Sequence, residues 1–266
     1  MNAVDELFQR LRSAGRKAFI PFVTAGDPDT ATTAALVRDL VRRGASLVEI
    51  GFPYSDPIAD GRVIQASYTR ALERGLRLAD VFALIRGLRD VPAPLVGMVS
   101  YSLVHHRGPE RFLQEAVAAG LSGAIVPDLP FEEAADLAAL AAARDFKLIQ
   151  LVTPTTPRER AVQIVRQSTG FIYCVSVAGI TGERDRLPPE LLDQLKWLRT
   201  ETPLPLCVGF GISKPEHVRM LRDAVDGVIV GSALVRRMED ARSLPAADLV
   251  ASAGELASAL DNALSA

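Results

Sequence analysis

The sequence predicts a closed (β/α)8 TIM barrel, a single domain over residues 1–266, with an extra N-terminal helix and extra helices in the loops after strands 2 and 8. Three observations carry this. Short β-branched apolar runs recur eight times, each run is followed by helical periodicity, and 266 residues at 48% hydrophobic suffice for one large core. Strands with few polar positions, linked by crossover helices, form a parallel sheet covered by helices, and eight of them in about 250 residues close into a barrel.

The N-terminus, "MNAVDELFQRLRSAGRKAFIPF", reads as a short amphipathic helix with Val4, Leu7, Phe8 and Leu11 on one face. The strands are AFIPFVT, SLVEIGF, PLVGMVSY, GAIVPDL, KLIQLVT, GFIYCVS, PLCVGF and GVIVG. Between them lie "TATTAALVRDLVRRG", the pair "GRVIQASYTRALERG" and "LADVFALIRGLRD", then "PERFLQEAVAAG", "EEAADLAALAAAR", "PRERAVQIVRQS" and "KPEHVRMLRDA". Several open on Asp, Thr or Pro and close on Gly, as helix ends require. The competing open sheet with a dinucleotide site is disfavoured: "TAGDPD" follows the first strand where a GxGxxG turn would stand.

Composition narrows the function classes. A formal charge of −2 and a pI near 6.0 provide no broad basic field, so neither nucleic acid nor an anionic membrane is expected as a partner. The N-terminus lacks a basic start followed by an apolar run, and the apolar runs are strand-sized, which points to a cytoplasmic protein. Cys174 and Cys207 each sit inside a strand, as buried free thiols do. His105 and His106 are adjacent and lack ligand spacing, so no metal is expected; His217 reads as a surface helix residue.

In such a barrel the chemistry is built where strands end and the loops to the following helices begin. Glu49 interrupts the second strand there, on one face with Leu47 and Gly51. A buried carboxyl is either half of an ion pair or, with its pKa raised by desolvation, an acid able to deliver and recover a proton near neutrality. Asp60 follows in the loop, an ordinary helix N-cap on one reading and on another a wetter, ionised partner to a drier Glu49. Asp56 reads as a turn residue.

Glycines form a second group at strands six to eight. Gly211, Gly231 and Ser232 fall where barrel enzymes hold a phosphate, at the start of the helix "SALVRRMED", with Gly182 facing them from the lid-like loop "AGITGERDR". Plain turn geometry is the alternative. Tyr173 ends near the same rim and on its own reads as a packed aromatic. None of the four lysines is placed for a Schiff base, so carbon–carbon cleavage here would run on positioned acids and bases.

The segments "PFVTAGDPD", "VEIGFPYSDPIADGRVIQ", "PDLPFEE", "GITGERDRLP", "GFGIS" and "VGSALV", in this order over nearly the whole chain, resemble the tryptophan synthase alpha chain family. The resemblance implies a lyase: retro-aldol cleavage of indole-3-glycerol phosphate to indole and glyceraldehyde 3-phosphate. It implies no cofactor on this chain, and a partner beta chain carrying pyridoxal phosphate in an alpha-beta-beta-alpha heterotetramer. By motif, Glu49 is the acid–base residue, Asp60 its partner, and Tyr173 a group near the substrate. Phe22 and Phe210 line the indole slot, Tyr101 stands near it, and Gly182, Gly211, Gly231 and Ser232 hold the phosphate. Thr181 reaches Asp60 on lid closure, and Asp56 with Pro57 touches the beta chain. Arg62 stands where Pro is usual in the family.

Three other readings compete: a solitary lyase releasing free indole, a barrel isomerase of a phosphorylated sugar or anthranilate, and a non-catalytic phosphate-binding module.

Overall fold

A computed structural model describes residues 1–57, 60–176 and 190–265. Eight strands, β1 (Ala18–Thr24), β2 (Val48–Gly51), β3 (Leu95–Met98), β4 (Leu121–Ile125), β5 (Lys147–Val152), β6 (Ile172–Val175), β7 (Leu206–Gly209) and β8 (Gly227–Val230), close in chain order into one parallel barrel, β8 returning to β1. Around them run α1 (Ala3–Ser13), α2 (Thr30–Arg42), α3 (Arg62–Glu73), α4 (Leu78–Arg86), α5 (Tyr101–Arg107), α6 (Pro109–Ala119), α7 (Ala135–Ala142), α8 (Arg158–Gln167), α9 (Glu190–Glu201), α10 (Pro215–Leu221), α11 (Ser232–Asp240) and α12 (Ala246–Ser265). The added helices expected at the N-terminus and after strands 2 and 8 are α1, the pair α3 and α4, and the pair α11 and α12. Among the described residues no helix is long and apolar enough to cross a membrane.

Alternation along the strands sorts the apolar residues into two cores. Ala18, Ile20, Phe22, Leu47, Cys207 and Ile229 fill the barrel, while Phe19, Val23, Val48, Ile50, Val208 and Val228 pack outward beneath the helices. Helix α1 closes the N-terminal end of the barrel. Its Val4, Leu7, Phe8 and Leu11 join the inner core, and Phe8 meets Phe171 at 5.7 Å between ring centroids. Asn2 caps the helix and ties it to the carbonyl of Ser122, and Asp5 pairs with Lys147 at 2.6 Å. Lys147 therefore works at the end opposite the strand termini that carry the candidate chemistry.

Two expectations are corrected. The third strand stops at Met98, and Tyr101 begins α5, so the predicted strand runs too far and the loop after β3 carries an unforeseen helix. The cause is tertiary: Ser100 caps α5, and Asp128, beyond β4, accepts from the Tyr101 amide at 2.7 Å and the Ser100 hydroxyl at 2.6 Å. His217 is buried, not superficial; its Nδ1 accepts from the Ser213 amide at 3.4 Å, and it shares the inward face of α10 with Val218 and Leu221.

Candidate active site

At the C-terminal rim the inward positions of several strands converge on one cleft of about 490 Å³, counting its open mouth. Glu49, Asp60, Tyr173, Phe22, Phe210, Gly211, Gly231 and Ser232 all line it. Its apolar walls are completed by Ile64, Met98, Ile212 and Ile229, which sequence reasoning did not single out because each reads as ordinary core.

Glu49 is in register with Phe22 on β1 and Val96 on β3, and is fully buried. Neither carboxyl oxygen has a hydrogen-bond partner among the described residues, so the ion-pair reading of this side chain finds no cation. Burial, followed by the nearby Asp60 charge, pushes its pKa up to about 8. At neutral pH it is a protonated acid in a dry wall.

Asp60 differs from expectation in two respects. The N-cap of α3 is Gly61, leaving Asp60 in the preceding bend, and Asp60 is buried, not wet. The β2–α3 loop folds inward because Gln65 donates to the carbonyls of Asp60 at 2.8 Å and Pro57 at 3.0 Å. Burial raises the Asp60 pKa to about 6; a hydrogen bond from Tyr54 opposes the rise and the Asp128 charge adds to it. The order of the pair is still split: at pH 7 Glu49 holds its proton and Asp60 is ionised. Tyr54, which makes that hydrogen bond, was missed because in "FPYSDP" it reads as one more loop aromatic.

Tyr173 stands inward on β6, buried, with its ring edge-on to Phe210 at 5.8 Å. Burial, then the Glu49 and Asp60 charges, keeps its hydroxyl neutral. Its ring occupies the space that a side chain at Gly209 would need. Gly209→Ala is therefore expected to destabilise the fold by about 1–3 kcal/mol and displace Tyr173; a denaturant midpoint unchanged from wild type would contradict this packing.

Phe210 takes a left-handed backbone, φ 73°, followed by Gly211 at φ 72°. A bulky residue adopts that conformation only under constraint. Here the Ser176 hydroxyl grips the Phe210 carbonyl, and the ring is turned into the cleft. Opposite, Gly231 precedes Ser232, the first residue of α11, whose first amides have no partner within the helix. A Cβ on Gly231 would first meet Phe22, at an ordinary 3.6 Å, so the glycine keeps cleft space open beside those amides. Unpartnered amides at a helix start favour negative charge.

Tyr101 does not line the cleft; half-buried on α5, its ring faces His105 at 6.0 Å. Asp56 is exposed, accepting from the Ser55 hydroxyl at 2.7 Å, and Pro57 is half-buried beside it. Thr181 and Gly182 lie outside the described residues. Among the described residues no group of three or more His, Cys, Asp or Glu is arranged to hold a metal ion.

A barrel whose rim presents a dry, protonated carboxyl beside an ionised one, in an apolar slot, defines the class: a (β/α)8 enzyme of the acid–base kind. Comparison with known proteins narrows the class. The chain belongs to the tryptophan synthase alpha chain family, whose sequence model matches residues 8–263. It is 51% identical over 245 residues to the alpha chain of Rhodopirellula baltica, covering 91% of this chain and 88% of that one. To the alpha chain of Microcystis aeruginosa it is 49% identical over 242 residues, 90% of this chain and 92% of the relative. Among solved structures, the alpha subunit of Legionella pneumophila superposes with TM-score 0.90 at 34% identity, covering 100% and 99% of the two chains. A Mycobacterium tuberculosis tryptophan synthase in its aminoacrylate-bound form superposes with TM-score 0.86 at 29% identity, covering 98% and 100%.

Proposed function

We propose that the cleft cleaves indole-3-glycerol phosphate to indole and glyceraldehyde 3-phosphate, with Glu49 as proton donor and acceptor and Asp60 as the anion that stabilises the ring. As a member of its family the chain is a carbon–carbon lyase, the alpha subunit in L-tryptophan biosynthesis, and it works with a beta chain that carries the pyridoxal phosphate. The observation that carries the assignment of roles is the split pair: a fully buried carboxyl titrating near 8 beside one near 6.

The chemistry follows from that split. The indole lies between Phe22, Phe210 and the apolar walls, its phosphate toward Gly211, Gly231 and Ser232. Protonated Glu49 gives its proton to carbon 3 of the indole, and the ring becomes a cationic indolenine. Ionised Asp60 accepts the ring N–H and stabilises that cation. Glu49, now a base, takes the proton of the hydroxyl next to the breaking bond. The carbon–carbon electron pair returns to the ring, releasing indole and the aldehyde with Glu49 protonated again. Tyr173, neutral and close to both carboxyls, borders the reacting face. Thr181 and Gly182 complete this reading as lid contacts, and Asp56 with Pro57 as contacts to the beta chain.

The test is purified chain with indole-3-glycerol phosphate, alone and with a beta chain, following both products. Cleavage fast only with the partner supports an alpha subunit, equal rates a solitary lyase, and no indole at all would defeat the reading. Over pH, kcat/KM should trace a bell. As pH falls through about 6, Asp60 gains a proton and the stabilising anion is lost; as it rises through about 8, Glu49 loses the proton it must deliver. A profile flat between about pH 5 and 9 is incompatible with these roles.

A further inference from the structure

Tyr68 projects from α3 into the inner core and is fully buried behind the cleft, in one cluster with Phe22, Tyr54 and Tyr173. Four buried side-chain polar atoms among the described residues have no hydrogen-bond partner, and three of them are the two carboxyl oxygens of Glu49 and the hydroxyl of Tyr68. Buried polar groups are almost always paired, so three orphans in one core call for a common account. A phenylalanine would fill the same space without a stranded oxygen.

The geometry brings that oxygen to the Glu49 strand. Gly51 lies two residues beyond Glu49 on the same face of β2. The room its missing side chain leaves is taken by the edge of the Phe22 ring and by the Tyr68 hydroxyl, which would lie 2.8 Å from a Cβ there. The Tyr68 ring also packs on Tyr54, with centroids 5.7 Å apart, and Tyr54 is the residue that donates to Asp60. Two tyrosines thus back the two carboxyls, one from the loop and one from the helix.

Resting on the function read above, we propose that Tyr68 is a positioning residue for the cleavage: its hydroxyl donates to the Glu49 carboxyl through one buried water and fixes how the acid presents its proton. The ionisable groups around this pair are Asp60, Tyr54 and Asp56 from the β2–α3 loop, Asp128 from beyond β4, and Tyr173 from β6. Burial, then the Asp60, Tyr54 and Glu49 charges, holds Tyr68 neutral, so it stays a donor across the working range. A hydroxyl serves an ionised carboxylate better than a neutral carboxyl, so it eases proton release from Glu49.

The test compares Tyr68→Phe with Tyr54→Phe, each assayed with indole-3-glycerol phosphate in the complex with a beta chain. Tyr68→Phe should lower kcat about five- to tenfold with KM within about twofold, and move the alkaline limb of the kcat profile up by about half a pH unit or more. Tyr54→Phe should move the acid limb up instead. A carbon-13 carboxyl titration of Glu49 in the free chain reads the same contact without turnover, and in Tyr68→Phe its midpoint should rise. An unmoved alkaline limb, an unmoved Glu49 midpoint and kcat within about twofold of wild type would overturn the proposal. If the wild-type chain released no indole, the functional reading would fall, and the Glu49 titration alone would decide whether Tyr68 serves that carboxyl. Should Tyr68→Phe fail to fold by circular dichroism, Tyr68→Met takes its place in the same titration.

Discussion

Glu49→Gln is expected to lower kcat for cleavage by about a thousandfold while KM stays within about threefold. The amide has the shape of the protonated carboxyl and sits in the same dry wall, so recognition of the indole and of the phosphate is preserved. What it lacks is a proton acidic enough to reach carbon 3 and a site basic enough to take the hydroxyl proton back. Because Glu49 has no cationic partner among the described residues, the substitution breaks no ion pair, and the fold should be at least as stable as wild type. Steady-state kinetics with a thermal melt on the same preparation separates these effects. Turnover within tenfold of wild type would remove Glu49 from the chemistry.

The second large effect is expected at Asp60. Asp60→Asn should cost about a hundredfold in kcat, since an amide can accept the ring N–H but supplies no negative charge for the cation that protonation creates. The acid limb near pH 6 should vanish with it, because the group that titrates there is gone. Losing that charge should also lower the Glu49 pKa, since the Asp60 charge is the second cause of its rise. A variant that keeps the acid limb would place that ionisation elsewhere.

The fold was legible because period and order agree: eight apolar runs, each followed by a helix, leave few topologies. Glu49 stood out because a carboxylate inside "SLVEIGF" leaves only an ion pair or an acid–base role to account for it. The environment of Asp60 was less legible. Its burial depends on Gln65 pulling the loop inward, a contact between groups that each read as polar surface. Tyr54 and Tyr68 were invisible for the opposite reason: an aromatic on a loop or an inward helix face reads as packing, and nothing in its spacing reveals a hydroxyl set behind a carboxyl. The start of α5 at Tyr101 and the burial of His217 failed likewise, each decided by a partner on another element or in the preceding loop. Where the outcome rests on local period, sequence suffices; where it rests on which polar groups meet across the barrel, it does not.

Helix α1 stands at the foot of the barrel, out of reach of any substrate, yet its four apolar residues belong to the same inner core as Phe22 and Tyr173. It acts as a stopper. The dryness that keeps Glu49 protonated is guarded from below, so the reactivity of the rim depends on a plug at the far end of the cylinder. Loosening that plug would let solvent climb the axis and turn the acid into an ordinary carboxylate, silencing the enzyme without touching a residue of its cleft.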